Sequence, residues 1–323
     1  MANDPPPITV TFGSANNQNN AQTLWSHVLD QRPTAWVWGG DAIRPADFTQ
    51  DAIRTAFQTQ RASGEYQALV RQTRILGTWN VLDSAFTADV KTRAAARDLF
   101  LDVVGEPRLS PRRKRQGIYS FTDLGTEPFT VRVILLDVRY LGVQPGRDAD
   151  LLGTEQWGWL EGALASSKAV FNLIVSPIPV VPTEIPVEKW SDFGASRERL
   201  FRLISSTGAS GVVLLTGGRL VGEMSQVRER IIGYPLVELT ASGLTTSDFR
   251  YSYDTNKYRW GEVFVGLHFG VARAEWGKGN PSLRLLLVDR MGGNALERWL
   301  SRSTLSGRLF ESSYRGIHEP SED

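Results

Sequence analysis

The sequence predicts an α/β protein in which helices cover a largely buried sheet and a second, mainly β sheet packs against the first. Three observations predict it. Short apolar runs alternate with helically spaced segments, the arrangement of a layered α/β domain. Near Leu236 the texture changes: Val237-Glu238-Leu239-Thr240, 263–269 and 283–288 read as strands with few helices among them. With 41% hydrophobic residues in 323, the chain can bury a large core, as one large domain or two smaller ones.

Taken in order, Ile8–Gly13, Ala35–Gly39, 74–79, 131–137, 171–175 and 212–215 are apolar, β-rich and too short for helices, so each reads as a largely buried strand. Between the first two, 22–29 places Leu24, Trp25, Val28 and Leu29 on one helical face; 51–60, 92–103, 155–164 and 196–204 show comparable spacing. Ile118–Phe121 reads as a further strand after the basic run Pro111-Arg112-Arg113-Lys114-Arg115, itself read as a solvated loop. No internal repeat is visible. The expected organisation is a lead over 1–7, a single domain over 8–303 and a loosely held arm over 304–323, which ends acidic.

Basic and acidic residues balance at 36 and 35, so no strong electrostatic pull toward nucleic acid or anionic lipid is expected. Absence of cysteine excludes disulfides, thiol catalysis and thiolate metal sites. The amino terminus has no basic segment followed by an apolar one, and no apolar run approaches the ~20 residues that span a bilayer. An intracellular protein with no membrane insertion is the expectation.

The chain contains no phosphate-binding glycine loop ending in Lys-Ser/Thr, no dinucleotide fingerprint, no nucleophile elbow and no H-E-x-x-H. His27, His268 and His318 fall in a helix, a late strand and the tail; each reads as an ordinary histidine, His268 being the one suited to a buried role. Ligands in open α/β sheets bind beyond the carboxyl ends of the strands. Asp41 and Asp83 follow the second and third strands there, yet Thr216-Gly217-Gly218-Arg219-Leu220, after the run 212–215, offers no carboxylate, histidine or cysteine.

These strand ends, taken together, resemble those of the alkaline phosphatase D (PhoD-like) metallophosphoesterases. Leu135-Leu136-Asp137-Val138-Arg139-Tyr140 is similar to that family's L-L-D-T-R-Y, Leu152-Gly153-Thr154-Glu155-Gln156-Trp157 with Trp159-Leu160 to L-G-x-x-Q-x-x-W-L, and Leu239-Thr240-Ala241-Ser242-Gly243-Leu244-Thr245 to V-T-S-S-G-L-T. Glu188-Lys189-Trp190 followed by Arg197-Glu198-Arg199-Leu200 fits the helix before the last core strand. The resemblance implies a four-layer α/β/β/α sandwich, two facing mixed sheets flanked by helices, with metal ions held by strand-end loops.

The departures from the family fall at those loops. G-S-C becomes Gly13-Ser14-Ala15, G-D-N-I-Y becomes Gly40-Asp41-Ala42-Ile43-Arg44, W-D-D-H-D becomes Trp79-Asn80-Val81-Leu82-Asp83, and S-G-D-R-H-x-x-E becomes Thr216-Gly217-Gly218-Arg219-Leu220-Val221-Gly222-Glu223. Ligands are thus lost at Ala15, Val81, Leu82, Gly218 and Leu220; oxygen remains at Asp41, Asp83, Asn16, Asn80 and Glu223, too few for a dimetal centre.

Carboxylates without cations leave buried negative charge, so Arg44, at the family's tyrosine position, is expected to pair with Asp41, with Arg219 nearby. The resemblance therefore implies a homologue without catalytic residues or metal cofactor, kept as a structural subunit for other proteins. Two alternatives are a weakly active metal-dependent phosphoesterase around Asp41, Asp83 and Glu223, and a metal-free module binding a phosphate-bearing ligand through Arg44 and Arg219. Restoring the ligands at 15, 80, 81, 82, 218 and 220 together is expected to test whether the family's pocket geometry persists.

Overall fold

A computed structural model describes residues 4–277 and 279–306; His318, the lead's first three residues and most of the predicted arm lie outside them. In chain order the elements are β1 (Ile8–Gly13), α1 (Trp25–Asp30), β2 (Ala35–Gly39), α2 (Gln50–Ala62), α3 (Gly64–Gln72), β3 (Arg74–Thr78), α4 (Val81–Ser84) and α5 (Val90–Val103). Then follow β4 (Ser120–Thr126), β5 (Phe129–Leu135), α6 (Gly153–Ala165), β6 (Phe171–Ser176), α7 (Gly194–Ser206), β7 (Val212–Thr216), β8 (Gly222–Val227), β9 (Leu236–Ala241), β10 (Arg259–Phe264), β11 (His268–Glu275), β12 (Ser282–Asp289) and β13 (Asn294–Ser301).

Two mixed sheets result, one of six strands in the order β13-β12-β11-β1-β2-β3 and one of seven in the order β10-β8-β9-β7-β6-β5-β4. Residues of both sheets, among them Val10, Phe12, Leu285, Val133 and Leu239, share one buried core. Outside the first sheet, α1, α2, α3 and α5 bury Trp25, Phe57, Tyr66 and Phe100 against Trp36 and Trp38. Trp25 meets Trp36 edge-on at 4.9 Å, and the Trp38 indole donates to the Tyr66 hydroxyl at 3.0 Å, so the aromatic cluster is packed and polar-satisfied. On the other side α6 and α7 bury Trp157, Leu160, Leu200 and Phe201. The predicted four-layer α/β/β/α sandwich is the observed architecture.

The division of strands between sheets differs from the sequence reading. The texture change near Leu236 does not start a separate sheet: β9 pairs in parallel with β7 in the seven-stranded sheet, while β11 pairs antiparallel with β1 in the other. The segment 263–269 is also split, its first residues ending β10 in one sheet and its last beginning β11 in the other, with Gly266 at φ +141 between them. Four of these elements were not foreseen, β8, β13, α3 and the four-residue α4. The polar run Gly-Glu-Met-Ser-Gln-Val of β8 and the charged Asn-Ala-Leu-Glu-Arg-Trp-Leu-Ser of β13 lack a strand's apolar signature, and α3 follows α2 after the single residue Ser63.

The basic run is not a solvated loop. Pro111–Lys114 forms a 3₁₀ turn in which Arg112 is buried, pairing with Glu106 at 2.9 Å and donating to the Ile118 carbonyl. Arg113 reaches Asp102 at 2.6 Å, and Arg115 lies 4.0 Å above the Tyr119 ring. Arg112, Arg113 and Arg115 thereby hold the α5–β4 connection to the fold.

Candidate functional site

The carboxyl ends of β1, β2, β3 and β7 converge because their turns are built without bulk. Gly217 is pressed so close to the ends of β1 and β2 that a Cβ there would lie 2.4 Å from the Gly39 carbonyl and 2.5 Å from Ser14 Oγ. Ala15, Asp41 and Leu220 all adopt left-handed backbone, at φ +59, +49 and +59, a conformation L-residues hold only when the surroundings over-determine it. Strain of this kind clusters at functional sites.

The structure brings Asn16, Asp41, Asn80 and Asp83 together. Asn16 donates to the Ala42 carbonyl at 2.8 Å and to Gln60 at 2.6 Å, and its backbone N–H bonds the Asp41 carbonyl. Asp41 accepts from Asn80 Nδ2 at 2.8 Å and from the Leu82 N–H at 3.2 Å. Asp83, fully buried, accepts from the Ala42 and Ile43 amides at 2.8 and 3.1 Å through one oxygen and from the Asn80 amide at 3.0 Å through the other. Burial raises the pKa of Asp41, and it raises that of Asp83 well above the usual range, with the neighbouring Asp41 adding to the effect.

The expected Arg44–Asp41 pair is not formed. Arg44 is exposed, with its backbone bound to Gln18, and among the positive groups acting on Asp41 it ranks behind Arg139. Solvent around an exposed guanidinium weakens such a pair, whereas Arg139 is buried. Nor are Arg44 and Arg219 available as a ligand-binding pair. Arg219 is fully buried, held by Glu223 at 3.0 Å and Asp254 at 2.5 Å. Glu223, also fully buried, is shared with Arg259 at 3.0 Å and Asn256 at 3.3 Å. Remnant positions therefore fall into two hydrogen-bonded groups, Asn16–Asp41–Asn80–Asp83 and Arg219–Glu223.

Of the lost-ligand positions, Val81 and Leu82 open the short helix α4. Gly218 sits at φ +69 with the Pro177 carbonyl 2.6 Å from where a Cβ would stand. An aspartate restored at 218 meets that carbonyl and an unfavourable backbone at once, so the restoration experiment also demands that the turn move.

Sequence reasoning missed four members, Arg139, Asp137, Ser242 and Glu238. Arg139 grips Glu188 with two nitrogens, at 3.0 and 2.8 Å, and donates to Asn80 Oδ1 at 2.8 Å. Asp137 accepts from the Trp79 indole and from the amides of Ile118, Arg139 and Tyr140. Both lie in the Leu-Leu-Asp-Val-Arg-Tyr segment that carries the family resemblance, so the signal is present in the sequence. Ser242 Oγ accepts from the Arg219 and Leu220 amides, fixing the β7 turn. His268 is buried; its Nε2 accepts from the Ser242 amide while Nδ1 serves the Gly266 carbonyl, and burial pushes its pKa down to about 4. It is a neutral core histidine, as read.

Glu238 has no sequence signal beyond a lone carboxylate in a strand. Fully buried, it accepts from the Val180 and Val181 amides at 3.0 and 2.7 Å and from Thr216 Oγ1 at 2.9 Å, and burial pushes its pKa up to about 7. The folded state thus keeps a proton that the unfolded chain releases near the ordinary 4.5, so this group's contribution falls as pH rises from there to about 7. Glu238→Gln keeps a carbonyl for the two amides and a donor for the hydroxyls. Its stability relative to wild type is expected to rise by about 3 kcal/mol between pH 4.5 and 8, read by denaturant melts at the two pH values; an equal offset at both would contradict it.

The fold is the four-layer sandwich of two facing mixed sheets that the family resemblance implies. Its donor set does not fit the metal ions that the resemblance implies: Asp83 already serves three amides, Glu223 is held by two guanidinium groups, and among the described residues no three of His, Cys, Asp or Glu gather around a cation position. Residues 111–269 match the model of the PhoD-like phosphatase family. The solved structure of PhoD matches with a TM-score of 0.69 at 16% identity, covering 94% of this chain and 73% of that one. GAP50, the anchor in the inner membrane complex of Plasmodium, matches with a TM-score of 0.61 at 12% identity over 97% of this chain and 95% of its own. No curated protein sequence matches the chain. Among the described residues no helix is long and apolar enough to cross a membrane.

Proposed function

We propose that this chain is a catalytically inactive PhoD-like phosphatase homologue that serves as an intracellular structural or protein-interaction subunit of a larger assembly, with no resident metal cofactor. The observation that carries the reading is that the strand-end carboxylates are engaged by the protein's own donors: amides and Asn80 on Asp41 and Asp83, guanidinium groups on Glu223. A hard cation needs several free oxygens, and phosphoester hydrolysis in this fold needs such cations to polarise the phosphoryl group. The anchor named above supports the choice of role, since it shares the fold over nearly all of both chains. The partners in this reading are other protein subunits, with no nucleic acid and no membrane insertion.

The test is native purification with sizing and identification of co-purifying chains, beside elemental analysis and an aryl phosphate assay. A complex larger than the monomer, no stoichiometric metal and no turnover above the blank are expected. A free monomer in cell extract would remove the assembly role, and stoichiometric metal with turnover would establish the reduced-site phosphoesterase instead.

A further inference from the structure

The proposed reading rests on carboxylates that fold without a cation, and the geometry points to one residue that makes this possible. We infer that Asn80 is an amide bridge that makes the strand-end cleft independent of divalent cations, and that an aspartate in its place would make the fold cation-dependent. The Asn80 side chain is buried between opposite charges. Its carbonyl accepts from Arg139 Nε at 2.8 Å and its NH₂ donates to Asp41 Oδ2 at 2.8 Å. An amide offers an acceptor to a guanidinium and a donor to a carboxylate from one planar group whatever the pH. Through it Arg139, itself gripping Glu188, ties the turn after β2 to that after β3 and to the segments after β5 and β6, so the bridge crosses between the sheets.

An aspartate at 80 keeps the bond to Arg139 but turns an oxygen toward Asp41, where the NH₂ had donated. The half-buried Asp41, the buried Asp83 and the new carboxylate then crowd one site in which burial already disfavours charge, and Arg139, already committed to Glu188, and the exposed Arg44 are left to offset them. Such a group needs either protons or a multivalent cation.

The experiment melts the full-length wild type and Asn80→Asp at pH 8, each in EDTA and in excess MnCl₂. Wild type is expected to melt at the same temperature in both. Asn80→Asp is expected to melt about 5 °C lower than wild type in EDTA and to regain most of that loss in Mn²⁺. A wild type stabilised by Mn²⁺, an Asn80→Asp protein as stable as wild type in EDTA, or a loss that Mn²⁺ does not relieve would each overturn the inference. If Asn80→Asp yields no folded protein, the wild-type comparison still decides, together with Asn80→Ala, whose loss is expected to be the same in EDTA and Mn²⁺. None of these outcomes bears on whether other chains co-purify, so the assembly role stands or falls separately.

Discussion

Glu223→Ala is expected to destabilise the protein by about 3–5 kcal/mol, the cost of stranding buried charge when one partner of an ion pair is removed. Two guanidinium groups share this carboxylate, and Arg219 is fully buried. Without Glu223, Arg219 keeps Asp254 and the Tyr251 ring 6.0 Å away, and among the described residues one of its terminal nitrogens has no hydrogen-bond partner. Glu223→Gln preserves shape and one acceptor, so its loss should be smaller while remaining above that of any exposed pair, such as Arg202–Glu198. Urea unfolding of the three proteins checks this order. Equal stability of wild type and Glu223→Ala would mean that water reaches the cluster.

Gly217→Ala is expected to cost about 3 kcal/mol, at the upper end of overpacking effects. The added methyl would sit 2.4 Å from the Gly39 carbonyl and 2.5 Å from Ser14 Oγ, and the first of these is backbone that cannot rotate away. Relief requires the β7 turn to withdraw from the ends of β1 and β2. Gly158→Ala, on α6 with open space around its Cβ position, is the control and should be neutral or slightly stabilising. Thermal melts distinguish the two, and a neutral Gly217→Ala would show that the sheets tolerate separation at this end.

Much of the architecture was legible because burial and alternation act locally. The bounds of β1 and β2 coincide with their apolar runs, and the helices of both outer layers follow their 3.6-residue spacing. What could not be read depends on tertiary pairing: the polar strand β8 is held by antiparallel pairing with β9, and its Glu223 is neutralised by Arg219 and Arg259. The same distinction holds at the site. That Val81, Leu82, Gly218 and Leu220 offer no ligating side chain is a statement about residue types and needed no coordinates. Which cation faces Asp41 was a question of geometry, and proximity in sequence favoured Arg44 over a buried arginine 98 positions away from it.

The six-stranded sheet is assembled from segments far apart in sequence: Thr9 on β1 meets Arg273 on β11, 264 residues apart. A ribosome therefore releases β1, β2 and β3 long before β11, the antiparallel neighbour of β1, exists, leaving the open flank of β1 unpaired until then. Pairings this distant in sequence slow folding, and an unpaired apolar strand invites association with other chains. Nascent chains stalled before β11 should accordingly engage holding chaperones, whereas chains stalled after β13 should not.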